Sequence, residues 1–339
     1  MSATLQHDHD HNHDLSGANT LGLPCIAERF AAPRHVEALG ETLRMARAHA
    51  WPLTILGGGS NLILPERLSG LVLQPAMNDW WLEEQGDAVR VHVDAGVVWH
   101  KLVMALASRG LWGTENLALI PGHCGAGPIQ NIGAYGVELA EVLETVHILH
   151  LDDGHETVLA AADCGFGYRD SIFKRALDGR VIITRLVLRL SRTPTPRLGY
   201  ADLASRVSQT PTPLSVAEAI CAMRREKLPD PALLGNAGSF FKNPLVDMQT
   251  ADSLRADYPG VPHFPQPDGR VKLAAGWLID RCGLKGWRRG HFAVHDRQAL
   301  VLVHLGGGSA TELLTFADEV AAKVADRFGV ALEREPRLA

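Results

Sequence analysis

The sequence predicts an α+β protein of two main domains, and three observations carry that prediction. Apolar runs at 142–151, 156–159 and 181–190, separated by Asp152-Asp153-Gly154 and Asp178-Gly179, read as strands of one antiparallel or mixed sheet. Near the start, a helical periodicity gives way to a strand, a glycine loop and a second strand. Pro229-Asp230-Pro231 then breaks the chain ahead of a last unit, from about Asp230 to Gly329, with helices and strand of its own. With 339 residues and 46% hydrophobic composition, the chain can bury a sizeable core.

At the N-terminus, His7, His9, His11 and His13 alternate with Asp8, Asp10, Asn12 and Asp14. Such a tract predicts a disordered tail over 1–18, able to bind a divalent cation weakly but lacking the geometry for a catalytic metal. From Pro33, the spacing of Val36, Leu39, Leu43 and Ala46 predicts a helix ending before Trp51-Pro52. A short strand at 53–56 enters Gly57-Gly58-Gly59-Ser60-Asn61, and 62–64 is the next strand. Val89, Val91 and Val93 alternate with polar residues as a half-exposed strand, and 97–109 is a helix stopped by Gly110.

Pro/Thr-rich breaks at 193–197 and 210–213 bracket an exposed loop at 198–203. Ser215, with Glu218 three residues on, predicts a capped helix whose buried side is Val216, Ala219, Ile220 and Met223. Arg224, Arg225 and Lys227 at its end suit the negative pole of the helix dipole. In the last unit 272–282 and 311–328 have helical spacing and 294–305 reads as mostly strand. Gly306-Gly307-Gly308-Ser309 turns into the last helix, since Ser309 and Glu312 have capping-box spacing.

Several function classes lose support. Net charge is −5 and no basic cluster is interleaved with aromatics, which argues against nucleic acid and anionic membranes as partners. The apolar runs are far shorter than the roughly 20 residues that span a bilayer. No Lys or Arg precedes Arg29 and no early apolar core follows, so no secretory signal is read and a cytosolic location is expected. Cys25, Cys124, Cys164, Cys221 and Cys282 are scattered and expected as reduced thiols. Gly-x-Ser-x-Gly is absent, and His291 and His295 are four apart on a predicted strand, where a zinc helix is not built.

Residues 113–136 point elsewhere. They hold six glycines and two prolines with almost no charge, while Leu117, Leu119, Ile120, Ile129 and Ile132 want burial. Buried irregular backbone needs hydrogen-bond partners, which a large flat cofactor supplies where glycines let main chain approach it; a tightly packed structural loop is the alternative. The 57–61 loop is neither a nucleotide P-loop nor a Rossmann loop. Its successive N–H groups can form an anion-binding concavity for a pyrophosphate, or simply a tight turn. In 235–244, small residues bring Ser239 to an accessible turn while Phe240 and Phe241 anchor it.

The ordered blocks Ile55-Leu56-Gly57-Gly58-Gly59-Ser60-Asn61, 115–136, 166–173, Lys227-Leu228-Pro229-Asp230-Pro231, 235–244, 272–280 and 332–337 give the chain its resemblance to a known family. Over about 19–337 it resembles the UDP-N-acetylenolpyruvoylglucosamine reductases, flavoproteins of bacterial peptidoglycan synthesis. The resemblance implies an FAD-binding domain of the PCMH/vanillyl-alcohol-oxidase-like type at 19–228, with two α/β subdomains at about 19–75 and 76–228. A smaller α+β substrate-binding domain at 229–329 comes next, and 330–339 returns to the active site. FAD is implied to be non-covalent, its diphosphate near Gly57, Gly58, Gly59, Ser60 and Asn61. Pro121, Gly122, Gly125, Gly127, Gln130, Asn131, Gly133, Ala134 and Tyr135 would bed its ring, with His123 and Cys124 the nearby reactive side chains.

By the same resemblance NADPH reduces FAD and departs. UDP-N-acetylglucosamine enolpyruvate then binds in its place, and hydride passes from flavin N5 to the vinyl carbon. Arg169 would polarise the substrate carboxylate, Glu335 would be its acidic partner, and Ser239 would deliver a proton to the adjacent carbon. Tyr200, Lys227, Asn243 and Gln298 are the implied substrate contacts, and Arg224, one helical turn before Lys227, is a further candidate. A tyrosine loop closing over substrate and a monomeric enzyme are expected. Pro336 follows Glu335 and the chain stops two residues after Arg337, which predicts a mobile terminus. Two other readings stand beside this one: an FAD-dependent oxidase of another small molecule on the same fold, and a flavin- or metal-binding module using the histidine tail.

Overall fold

The alternation at Val89, Val91 and Val93 buries one face of the strand Ala88–Asp94, which pairs with Trp80–Gln85 and Val181–Ser191. Leu143–His150 and Glu156–Ala160 extend the sheet beyond Val181–Ser191, and all five strands are antiparallel. Trp99, Leu102, Val103 and Leu106 of the helix Trp99–Ala107 share a core with Val91, Val146, Leu186 and Leu188. Gly110, at φ +74°, stops that helix.

The structure, a computed structural model, describes residues 9–339, which divide into two units. The first runs to His13 and includes Ala27–Gly58 and Ser69–Glu226. Besides the five-stranded sheet it contains most of a second one, in the order Asp10–Asp14, Ile26–Ala31, Arg67–Leu73, Leu53–Ile55. Leu39, Leu43 and Ala46 of the helix Val36–Ala48 pack there on Leu71, Leu73 and Ile182.

The second unit is Asp14–Ile26, Gly59–Leu68 and Lys227–Ala339. Thus 14–26 and 59–68 belong with the C-terminal residues, where a linear reading ends the first domain at 228. A four-stranded sheet, Gly235–Ser239, Val301–His304, Phe292–Val294, Arg288–Arg289, and a three-stranded one, Leu245–Val246, Val271–Leu273, His263–Pro265, frame this unit. Its core joins Leu21, Leu23 and Ile63 to Phe240, Phe241, Leu278, Phe292, Phe316 and Val320.

Four expectations need correction. Disorder over 1–18 fails from Asp10 onward: Asp10–Asp14 is a strand, His13 stacks on Phe30 at 4.1 Å, and Leu15 is fully buried, so apolar anchors override the polar composition. His7 and Asp8 lie outside the described residues. Ser215 does not begin its helix, which spans Pro213–Lys227; Thr212 Oγ1 accepts the Ser215 N–H (3.1 Å) and Ser215 Oγ accepts the Thr212 N–H (2.9 Å). Pro213 therefore takes the first helical position, which it suits because it has no N–H to leave unpaired. The periodicity at 272–282 splits into the strand Val271–Leu273 and the helix Ala275–Arg281, and 294–305 splits into a hairpin between Phe292–Val294 and Val301–His304. Among the described residues no helix is long and apolar enough to cross a membrane, and no group of three or more His, Cys, Asp or Glu could hold a metal ion.

Candidate active site

In the first unit, 113–136 has little regular structure. It is made of turns, a 3-10 helix at Cys124–Gln130, and a two-residue hairpin between Gly133–Ala134 and Val137–Glu138. Tyr135 and Gly136 have φ of 51° and 79°, as a type I′ turn demands; glycine adopts this freely, tyrosine only when its surroundings enforce it. The junction after the Ala88–Asp94 strand satisfies much of the irregular backbone. Gly125 N–H donates to Ala95 O (2.9 Å), Cys124 N–H to Val97 O (2.8 Å), and Trp99 Nε1 to Leu117 O (3.0 Å). A Cβ on Gly125 would come 2.6 Å from the Ala95 Cβ, and one on Gly58 would lie 2.7 Å from the Gly122 Cα. The first glycine loop and the long stretch thus touch backbone to backbone.

The 166–171 motif is fastened to the same stretch. Asn131 Nδ2 donates to Gly167 O (3.2 Å) and Glu138 Oε2 (2.7 Å), Ser171 Oγ donates to Ile129 O (2.6 Å), and Arg169 Nη2 donates to Gly133 O (2.8 Å). Arg169 itself sits at φ 54°. Gly127 is buried, Gln130 ends the 3-10 helix, Ala134 pairs with Val137, and Pro121 is exposed.

Tyr200 is half exposed, its ring edge-on to Tyr135 with centroids 5.1 Å apart. Arg224 is half-buried, its Nε shielded without a hydrogen-bond partner; burial pushes the guanidinium pKa down, with Tyr135 pulling the other way and Arg169 adding repulsion. Burial likewise pushes the Tyr135 phenol up, against the nearby Arg224. The two aromatic rings and the two arginines therefore form one electrostatic neighbourhood. Lys227, three residues further along the helix, is exposed.

In the second unit, Ser239 ends the strand Gly235–Ser239, exposed, with Phe240 and Phe241 buried beyond it. Register slips between Asn236 and Ser239, a bulge that redirects the side chain. Asn236 holds it, accepting the Gly238 N–H (2.9 Å) and donating to Leu234 O (2.8 Å). The expected mobile terminus is instead pinned: Glu335 N–H donates to Phe240 O (2.9 Å), Asn61 Nδ2 to Glu335 O (3.3 Å), and Arg337–Leu338 pairs in parallel with Leu62–Ile63. Glu335 is 9% exposed despite Pro336. Asn243 Oδ1 accepts the Ala275 N–H (3.0 Å), while Gln298 Oε1 would lie 3.3 Å from a Cβ on Gly276, so both reach the start of the Ala275–Arg281 helix. Ser60 and Asn61 enter the Leu62–Ile63 strand, and Gly59, at φ +60°, accepts the Thr20 N–H at its carbonyl (3.1 Å).

Comparison with known proteins decides what these parts belong to. A model described as the C-terminal domain of UDP-N-acetylenolpyruvoylglucosamine reductase matches 230–339, and one described as an FAD binding domain matches 27–159. The reductase of Chromobacterium violaceum is 46% identical, covering 95% of this chain and 96% of its own length. That of Pseudomonas aeruginosa is also 46% identical, covering 96% and 97%. The chain belongs to the UDP-N-acetylenolpyruvoylglucosamine reductase family. A crystal structure of the Thermus caldophilus reductase superposes with a TM-score of 0.67 at 26% identity over 98% of each chain.

The protein is accordingly a flavin oxidoreductase with an FAD-binding α+β domain. Its residues fit the cofactor. A side chain on Gly58 would run into the Gly122 backbone, and His123 beside them has Nδ1 buried without a partner. Burial lowers the His123 pKa, so the ring tends to stay neutral. Cys124 is wholly buried, its thiol pushed up by desolvation, and is no thiolate nucleophile toward a flavin. The five cysteines are free thiols.

The polar residues of the stretch are as deeply placed as its apolar ones. Thr114, Glu115 and Asn116 are almost fully buried. Glu115 accepts the Gly113 N–H at 2.6 Å, and its pKa is raised by burial against that bond. The available signal was three polar residues inside a segment whose neighbours require burial.

Proposed function

We propose that this protein reduces UDP-N-acetylglucosamine enolpyruvate to UDP-N-acetylmuramate for peptidoglycan synthesis, with NADPH as the reductant. FAD, when bound, supplies the hydride for the vinyl carbon. The observation that carries the reading is the backbone hydrogen bond from Glu335 to Phe240, which makes a buried carboxylate residue the neighbour of the strand end presenting Ser239.

The chain's own groups meet the demands of the reaction separately. Reduction of an alkene conjugated to a carboxylate pushes charge into an enolate, and the Arg169 guanidinium is the cation assigned to that carboxylate. Its bond to Gly133 O and its place over Tyr168 fix its direction. Ser239 Oγ gives its proton to the carbon next to the reduced one; the bulge and the buried phenylalanines limit its freedom, and a carbanionic centre is basic enough to take a hydroxyl proton. Glu335 stands as the acidic partner in this chemistry. Gly57 to Asn61 and the 121–135 residues hold the cofactor mainly through main chain. Tyr200 and Lys227 are assigned to the substrate diphosphate, with Arg224, Asn243 and Gln298 as further contacts. The reading places a monomer in the cytosol acting on small molecules.

The test separates the half-reactions. Purified protein should carry a flavin spectrum, bleach anaerobically with NADPH, and be reoxidised by the enolpyruvate; reoxidation no faster than in buffer sinks the proposal. Ser239→Ala should leave bleaching by NADPH intact and slow reoxidation by about 10²- to 10⁴-fold, the usual worth of a positioned acid. Equal loss in both halves would remove Ser239 from the proton transfer.

A further inference from the structure

One buried amide joins the base of the tyrosine loop to the cofactor stretch. Asn116, 1% exposed, donates from Nδ2 to the carbonyl of Tyr135 (2.9 Å) and to that of Arg197 (2.8 Å), so both amide hydrogens are used, while Oδ1 is buried without a partner. Tyr135 is the strained residue of the hairpin, at φ 51°, and its ring supports that of Tyr200. Arg197 stands three residues before Tyr200, at the foot of its loop. The same side chain therefore fixes the residue under Tyr200 and the point from which its loop departs.

The other polar ties of the loop differ in strength and place. Arg197 and Glu141 approach only to 3.8 Å with both side chains exposed, a pair worth little in water. Arg206 bonds Asp202 and Glu226, but on the far side of Tyr200 and at the surface. At the near end, the buried amide is the tie that solvent does not weaken.

We propose that Asn116 is a positioning residue for substrate binding: it holds the loop in the state in which Tyr200 rests on Tyr135, and thereby sets affinity for the nucleotide-sugar without facing solvent itself. This rests on the assignment of Tyr200 to the substrate. Only a donor serves here, since the two groups it meets are carbonyl oxygens. Asn116→Asp keeps the shape and reverses the chemistry, placing a carboxylate against them.

The experiment combines Asn116→Ala, Asn116→Asp, Tyr200→Ala and the Asn116→Ala/Tyr200→Ala double variant, all as FAD-loaded protein. Each Asn116 variant should raise KM for UDP-N-acetylglucosamine enolpyruvate about tenfold, the scale of one or two net hydrogen bonds, with a smaller change in kcat. Amide exchange at 197–203 should quicken. In the Tyr200→Ala background the Asn116 substitution should add no further loss, because the two act through one contact. Fully additive losses, or Asn116 variants with wild-type KM beside a Tyr200→Ala that raises it, would overturn the proposal. A wild-type KM in Tyr200→Ala would instead overturn the substrate role of Tyr200. If Asn116→Ala does not retain FAD, the isosteric Asn116→Asp carries the comparison.

Discussion

The chain contains the same four residues twice, Gly-Gly-Gly-Ser at 57–60 and at 306–309, and uses them for different ends. At 57–60 the glycines are required by what comes close: a Cβ on Gly58 would meet the Gly122 backbone at 2.7 Å, and one on Gly59 would collide with the Ala18 carbonyl. At 306–309 the first glycine has open space around it and φ of 99°, and the quartet ends in a helix cap. Ser309 Oγ accepts the Glu312 N–H (3.3 Å) while Glu312 Oε2 accepts the Ser309 N–H (2.8 Å). The residues after each quartet separate the two: Asn-Leu-Ile-Leu continues as a strand, Ala-Thr-Glu-Leu-Leu as a helix. A glycine cluster thus reports that backbone must do something unusual, and its neighbours report what.

The largest expected contrast comes from alanine at two equally tight positions. Gly58→Ala and Gly308→Ala both place a Cβ at 2.7 Å, the first against Gly122 backbone, the second against the His291 Cβ and the Phe292 ring. Overpacking of this kind costs about 1–3 kcal/mol. On the proposed assignment of 57–61 to the cofactor, Gly58→Ala should weaken FAD binding roughly tenfold or more in titrations of apoprotein. Gly308→Ala should lower Tm and leave FAD affinity unchanged. Equal FAD loss in both variants would erase the distinction between the loops.

Ser309→Ala sharpens the second half of the comparison at smaller scale. Loss of a capping serine costs about 1 kcal/mol. Thermal unfolding should show a Tm lower by a few degrees, with unchanged flavin content and unchanged half-reactions. Altered NADPH oxidation in that variant would mean that the second quartet reaches the chemistry after all.

This division explains how much could be read from the sequence. Elements with one dominant period were legible: Val36–Ala48, Ala88–Asp94, Val181–Ser191 and Ala310–Phe328 appear where their apolar spacing puts them. The glycine-rich stretch was legible as irregular backbone because its composition contradicts both a linker and a regular element, whereas the turn expected at Ser239 is the bulged end of the strand Gly235–Ser239. What was hidden depends on long-range partners. Nothing local in 10–18 announces that Leu15 is buried and His13 packs on Phe30. Nothing in Arg-Glu-Pro-Arg shows that Leu62–Ile63 and Phe240 will pin it. Asn116 escaped because its two acceptors, Tyr135 and Arg197, are distant in sequence and are main-chain atoms, which carry no residue signature.

The quartets also differ in the histidine beside each, and this gives the smallest and most specific effect. His291 Nδ1 donates to Gly306 O (2.8 Å) at an exposed turn, whereas His123 lies with Cδ2 3.3 Å from a Cβ on Gly58 and Nδ1 buried without a partner. Burial lowers the His123 pKa below the ordinary 6.5. Above pH 6.5 the ring is neutral in folded and unfolded chains alike and its protonation does not affect stability. As pH falls through 6.5 the unfolded ring takes up a proton that the folded one resists, so stability is lost until the folded pKa is passed, below which the loss stops growing. His100, His147 and His295 are lowered by burial as well and contribute slopes of the same sign. His123→Gln removes one share: its unfolding free energy should decline less steeply than the wild type's as pH drops below 6.5, measured by denaturant titration at fixed ionic strength. A variant with the full wild-type slope would mean that the imidazole beside Gly58 is not held neutral by the loop that surrounds it.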